Sequence, residues 1–155
     1  NDVITWCYNS NLPGRQSRLI NWYGLKPDYN KVRFEYQNLN DKRIQQRILK
    51  GKDTRRSYDW FNDIQLEKNV TKDKNNNIHT CPLPLKLMDR IIKYLPEEYK
   101  DYTIVDLFSG SGTTLKAAYN NGHKYIGVEL SKNYYEYSIN RLKDLFNKIE
   151  EEIKC

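Results

Sequence analysis

The run Asp106-Leu107-Phe108-Ser109-Gly110-Ser111-Gly112-Thr113-Thr114 constrains this 155-residue chain more than any other stretch. It lies between an apolar strand pattern (Tyr102 to Leu107) and a helical one (Leu115 to Asn121). A second short strand, Lys124 to Val128, then ends in an acid, Glu129. Strand, glycine loop, helix, strand and terminal acid make the half-fold that holds an adenosine-containing cofactor. Gly110 and Gly112 let the backbone turn sharply and approach a ligand, and the helix N-terminus offers unpaired N–H groups. Glu129, 23 positions after Asp106, can accept hydrogen bonds from both hydroxyls of a ribose.

The spacing narrows the cofactor. The dinucleotide fingerprint G-x-G-x-x-G requires a third glycine where Leu115 stands, and the ATP-binding pattern G-x-x-x-x-G-K-[ST] is absent. Two glycines followed by Thr113 and Thr114 suit a ligand without a pyrophosphate. The stretch resembles the D-x-F-x-G-S-G-T-T motif of the amino-methylating DNA methyltransferases, which bind S-adenosylmethionine. That family usually has Pro after the Asp, where this chain has Leu107. Downstream, Lys124 to Leu130, then Tyr134, Tyr135 and Arg141-Leu142, is similar to the family's Y-I-G-x-E-x…Y…R-L run. Upstream, His79-Thr80-Cys81-Pro82-Leu83-Pro84, with Leu87-Met88 and Ile91-Ile92, resembles its H-P-x-x-x-P segment and the helix that follows, with Thr80 in place of the usual Pro. Asn9 to Arg15, Lys26 to Tyr29 and Tyr58 to Ile64 resemble the recognition region and its exit. The likeness is closest at the glycine loop and loosest in the first half.

The resemblance implies an α/β, Rossmann-like methyltransferase fold, incomplete at its N-terminal side and carrying a basic, loop-rich recognition insert. Residues 1–78 would hold a late sheet strand and the target-recognition region, and residues 79–155 the cofactor half. It places Asp106, Phe108, Gly110, Gly112 and Thr113 at the amino-acid end of S-adenosylmethionine, Glu129 at the ribose, and His79 in a turn over the methionine end. Where the cofactor loop lies near the C-terminus, the family's catalytic motif [DNS]-P-P-[YFW] lies upstream of the recognition region. Here the five prolines stand at 13, 27, 82, 84 and 96, and no two are adjacent. The expectation is the C-terminal portion of an enzyme methylating adenine N6 or cytosine N4, inactive without a missing N-terminal catalytic part. The alternative is a non-catalytic DNA-binding module with a vestigial or regulatory pocket.

Charge agrees with a double-stranded DNA partner. The net charge is +6, and residues 1–78 hold 15 Lys and Arg against 9 Asp and Glu, whereas residues 79–155 are balanced at 11 each. The whole excess lies in the half assigned to DNA. The candidate contacts are Arg15, Arg18, Lys26, Lys31, Arg33, Arg55 and Arg56, since arginine reads guanine edges and both cations neutralise phosphates. Trp22, Tyr23 and Trp60 read as core or scaffold aromatics. Cys7, Cys81 and Cys155 lack metal-ligand spacing and suit a reducing compartment. No apolar run reaches transmembrane length, so the expected setting is cytoplasmic, on DNA.

The remaining pattern predicts a strand over Asp2 to Tyr8, loop from Asn9 to Asn30, and a strand over Val32 to Tyr36 with Phe34 inward. A helix is expected over Asp41 to Lys50, stopped at Gly51, then a mobile loop carrying Arg55 and Arg56. Residues 71–77 read as a surface connector. A helix from about Pro84 to Tyr94 and a long C-terminal helix complete the pattern.

Overall fold

Alternation of apolar and smaller residues makes Asp2–Tyr8 a strand, β1, with Ile4, Trp6 and Tyr8 buried on one face. The computed structural model describes residues 2–8, 16–36, 38–66 and 82–153. β1 pairs antiparallel with β2 (Gln16–Trp22), from Asp2 opposite Trp22 to Tyr8 opposite Gln16. The loop expected over residues 9–30 therefore contains a seven-residue strand. Ile20 and Trp22 lean on the same core as Ile4, so the pairing and this packing override a segment of weak strand character.

The following elements are short. β3 (Arg33–Glu35) pairs antiparallel with β4 (Thr54–Arg56). Between them α1 (Lys42–Leu49) starts at Asp41, whose carboxylate accepts the Arg43 amide at 2.8 Å, and ends at Gly51 with φ +72°. Arg55 and Arg56 thus lie in a strand and not in a mobile loop. Their place is set by the partner strand, Arg55 opposite Phe34 and Arg56 opposite Arg33. This half is accordingly less loop-rich than its sequence suggests. β5 (Trp60–Phe61) adds to the other edge of β1 in parallel, giving the order β2-β1-β5.

The second half begins with α2 (Leu85–Lys93), which follows Pro84 and buries Leu87, Arg90 and Ile92. β6 (Ile104–Asp106), α3 (Thr113–Asn120) and β7 (Tyr125–Gly127) form a strand–helix–strand unit whose two strands are parallel. α4 (Lys132–Ile153) closes the chain. α2 packs on α3, and Ile92, Ala117 and Ala118 form a core with Ile104 and Tyr125. Leu87 and Tyr94 enter the other core, under β1, with Trp6, Phe61 and Ile64. Trp6 donates Nε1–H to the Ile64 carbonyl at 2.7 Å, and the Tyr94 and Ser57 hydroxyls hydrogen-bond each other in the interior. Burial raises the Tyr94 phenol pKa. Arg90 grips Asp63 with two bonds of 2.7 and 2.6 Å, which ties the segment after β5 to α2.

One face of the β6–β7 pair is bare. Ile104 and Tyr125 face the helices, whereas Val105 and Ile126, partners in register, are 55% and 54% exposed. Among the described residues no strand pairs with the outer edge of β6. Parallel strands are ordinarily covered on both faces.

Candidate cofactor site

The site is built where β6 and β7 end. After Asp106 the chain turns; the Asp106 carboxylate accepts the Phe108 amide at 3.0 Å, and the Phe108 ring is left 90% exposed. The Val128 amide donates to the Asp106 carbonyl (2.8 Å) and the Ser109 amide to the Val128 carbonyl (2.9 Å), so the loop and the end of β7 advance together. Gly110 and Gly112 both have positive φ, +50° and +76°, and Gly112 is the residue from which α3 starts. A side chain at Gly112 would place its Cβ 3.0 Å from the Cβ of Ser138, so α4 closes one wall of the loop.

Glu129 is held by the loop it would serve. Its two carboxylate oxygens accept the Gly110 and Ser131 amides, each at 2.8 Å. That fixes an acid beside the glycine turn at the carboxyl end of the pair, where open α/β sheets place their ligands. Gly110 and Glu129 are thus joined at the carboxyl ends of β6 and β7, with Asp106, Phe108 and Gly112 on the same loop. Thr113 lies within the fold beside it: it is buried, and its hydroxyl accepts from Arg141 at 3.1 Å. His79 and Arg15 lie outside the described residues.

Three residues of this site were not singled out by sequence. Arg141 donates Nη1–H to the Ser111 carbonyl (3.2 Å) and to Thr113, clamping the loop from α4. Ser138, one turn earlier, is the small residue that Gly112 requires. Gly127 does the packing work that a third loop glycine does in dinucleotide sites: a Cβ there would meet Leu115 Cδ1 at 2.5 Å, so its absence lets α3 lie close to the sheet. The Arg-Leu pair at 141–142 was the visible signal for the clamp, without its role.

The basic candidates divide. Arg33, Arg55 and Arg56 share the β3–β4 ribbon. Arg18 lies on β2, its guanidinium about 6 Å from the Trp6 and Tyr8 rings (6.0 and 5.9 Å). Lys31 is bound to the Leu95 carbonyl (2.8 Å) and to Glu97 (3.1 Å), and Lys26 is exposed. Trp22 is partly buried against the core, but Tyr23 and Trp60 are 73% and 48% exposed. The last two are not core aromatics: Tyr23 follows the end of β2, and Trp60 lies on the exposed side of the short β5.

The fold is α/β, with a glycine loop and an acid at the carboxyl ends of two parallel strands. A model of the DNA methylase family, N6/N4 type, matches residues 1–140, and the chain belongs to that family, whose cofactor is S-adenosylmethionine. It is 38% identical over 65 residues to the type II methyltransferase M.BglI of Bacillus subtilis, covering 42% of this chain and 18% of that protein. It is 41% identical over 75 residues to the orphan methyltransferase M.BamHII of Bacillus amyloliquefaciens, covering 48% and 27%. Among solved structures, the cytosine-N4-specific PvuII DNA methyltransferase superposes with a TM-score of 0.54 at 18% identity, covering 96% of this chain and 56% of that one. M1.HpyAVI superposes with a TM-score of 0.51 at 21% identity, covering 92% and 59%. The chain thus spans little more than half of each solved structure and a smaller part of the relatives. Among the described residues no helix is long and apolar enough to cross a membrane.

Proposed function

We propose that this chain is the cofactor-binding and DNA-gripping part of a methyltransferase that acts on an exocyclic base amine, adenine N6 or cytosine N4, of double-stranded DNA. The observation that carries the reading is Glu129, pinned beside Gly110 at the end of β7. An acid in that position accepts both ribose hydroxyls, and the Gly110–Gly112 turn lets the remainder of the ligand approach the backbone. Asp106 and Phe108 border the amino-acid end, with Thr113 beneath it, and the family resemblance assigns His79 to the methionine end. Residues 1–78 supply DNA contacts, and residues 79–155 the pocket.

When bound, S-adenosylmethionine supplies an electrophilic methyl group on a sulfonium. The amine that receives it is a poor nucleophile, because its lone pair is delocalised into the base, so the protein's task is placement. Glu129 would hold the ribose, and the loop clamped by Arg141 would hold the amino-acid end. The base is turned out of the duplex to reach it. The groups that accept the amine protons and stack the base belong to a proline-pair motif, and no proline pair occurs in these 155 residues. They come from polypeptide beyond this sequence, which also pairs with the free edge of β6, and the chain is inactive without them.

The test is a calorimetric titration with S-adenosylhomocysteine, on the wild type and on Glu129→Ala. Micromolar affinity that falls about 100-fold in the variant, roughly the loss of two charged hydrogen bonds, supports the reading. Equal affinity in the two proteins sinks the assignment of Glu129. No binding by a folded chain, with DNA affinity retained, favours a DNA-binding module with a vestigial pocket.

A further inference from the structure

Arg55 is a half-buried cation without an anion. Its guanidinium lies 5.2 Å from the ring centroids of both Phe34 and Tyr58. No described carboxylate forms an ion pair with it. Two carboxylates line the same cleft: Asp63, already held by Arg90 and Lys86, and Glu35, which forms no ion pair with Arg55. Arg33, one strand away, is bonded through Nε and Nη2 to Thr54. The cleft has a volume of about 560 Å³ and lies between the β3–β4 ribbon and β5. Tyr58 and Trp60 line it while remaining 50% and 48% exposed.

These features describe a ligand. A cation withdrawn from water without a counter-charge is costly, and a bound anion removes that cost. Stacking on rings orients the guanidinium plane and leaves its N–H edge for two parallel bonds, which a phosphate accepts. Half-exposed aromatic rings beside it offer flat apolar surfaces, which a simple anion does not use and a base does. The volume falls within the ordinary range for small-molecule sites, about 300–1,000 Å³.

We propose that this cleft holds one nucleotide of a nucleic-acid strand, its phosphate on Arg55 and its base against Tyr58 and Trp60. The proposal rests on the reading of the chain as a DNA methyltransferase part, and it names where the strand is gripped away from the cofactor crevice.

Trp60 provides the readout. A short labelled oligodeoxynucleotide, single-stranded or duplex, and deoxyadenosine monophosphate are each titrated while tryptophan fluorescence and anisotropy are followed. Quenching is expected in the wild type and absent in Trp60→Phe. Arg55→Ala is expected to weaken binding about tenfold, or about 1.4 kcal/mol, and Arg55→Lys, which keeps the charge and the fold, several-fold. Arg43→Ala, an exposed arginine on α1, is expected to change affinity less than about twofold. Equal losses at Arg43 and Arg55, or no response of Trp60, would overturn the proposal. Tighter binding of the oligonucleotide than of the monophosphate supports a strand as the ligand; equal binding limits the site to a free nucleotide and overturns the strand. S-adenosylhomocysteine is titrated into the same protein. If it binds and no nucleotide does, the cleft proposal falls alone; if only nucleotides bind, the cofactor reading falls and the cleft stands.

Discussion

Replacing Gly127 by alanine tests whether the approach of α3 to the sheet sets this site. The added methyl would lie 2.5 Å from Leu115 Cδ1 and 3.1 Å from the Cβ and Oγ of Ser109. Relaxed carbon contacts are about 3.5–4.0 Å, so the overlap with Leu115 is roughly 1 Å. Ser109 has little freedom to yield, because its amide and its hydroxyl both donate to the Val128 carbonyl. Leu115 is 6% exposed and must find room within a packed layer. Overpacking of this kind costs about 1–3 kcal/mol, which for a chain of this size lowers the melting temperature by about 2–12 °C. Leu115→Ala vacates the contested space at its own cost of about 2–5 kcal/mol. In that background the Gly127 substitution should cost less, leaving a favourable coupling of about 1–2 kcal/mol. Urea unfolding of the four proteins of the cycle measures it. Strict additivity, or a Gly127→Ala protein as stable as the wild type, would refute the reasoning.

Other consequences are as direct. Asp63→Ala strands the buried Arg90 guanidinium and should destabilise the chain by about 2–4 kcal/mol, at the lower end for a broken pair because the carboxylate itself is 38% exposed; urea unfolding checks it. Hydrogen bonding from Arg90 is the main cause that lowers the Asp63 pKa from 3.8 to about 2. The unfolded chain therefore takes up this proton first. The contribution is complete above about pH 4 and fades as the pH falls towards 2, and Asp63→Asn should remove that part of the acid limb of a stability–pH curve. Arg141→Ala should weaken S-adenosylhomocysteine about tenfold through the unclamped loop, the low end of what one charged hydrogen bond is worth, with the helical circular dichroism unchanged.

The strand–helix–strand unit was legible because its signals are local. Asp106, Gly110, Gly112 and Glu129 sit within one strand–helix–strand unit, where turn chemistry and apolar runs mark each boundary. What escaped depends on partners distant in sequence. Ser17, Arg18 and Asn21 say little about a strand until β1 lies alongside, and an Arg-Arg step at 55–56 has no strand character apart from Phe34 and Arg33 across the ladder. Gly127 reads as an interruption in a short strand, and its purpose shows only when Leu115 is seen against it. The same holds for Tyr23 and Trp60, whose aromatic character suggests burial and whose position in the fold denies it.

The bare flank of the β6–β7 pair has a consequence for how binding will look in solution. A crevice beside β6 with a strand on one side only is a vice with one jaw. On the proposed reading, molecules in which the other jaw is present would hold the cofactor from two directions, and those without it only through Glu129 and the loop. A preparation containing both should give a two-phase isotherm, the tight fraction growing with the amount of completing polypeptide and not with the cofactor. Affinity for the small ligand then counts assembled enzyme, with the Val105–Ile126 surface as the part that decides which molecules are counted.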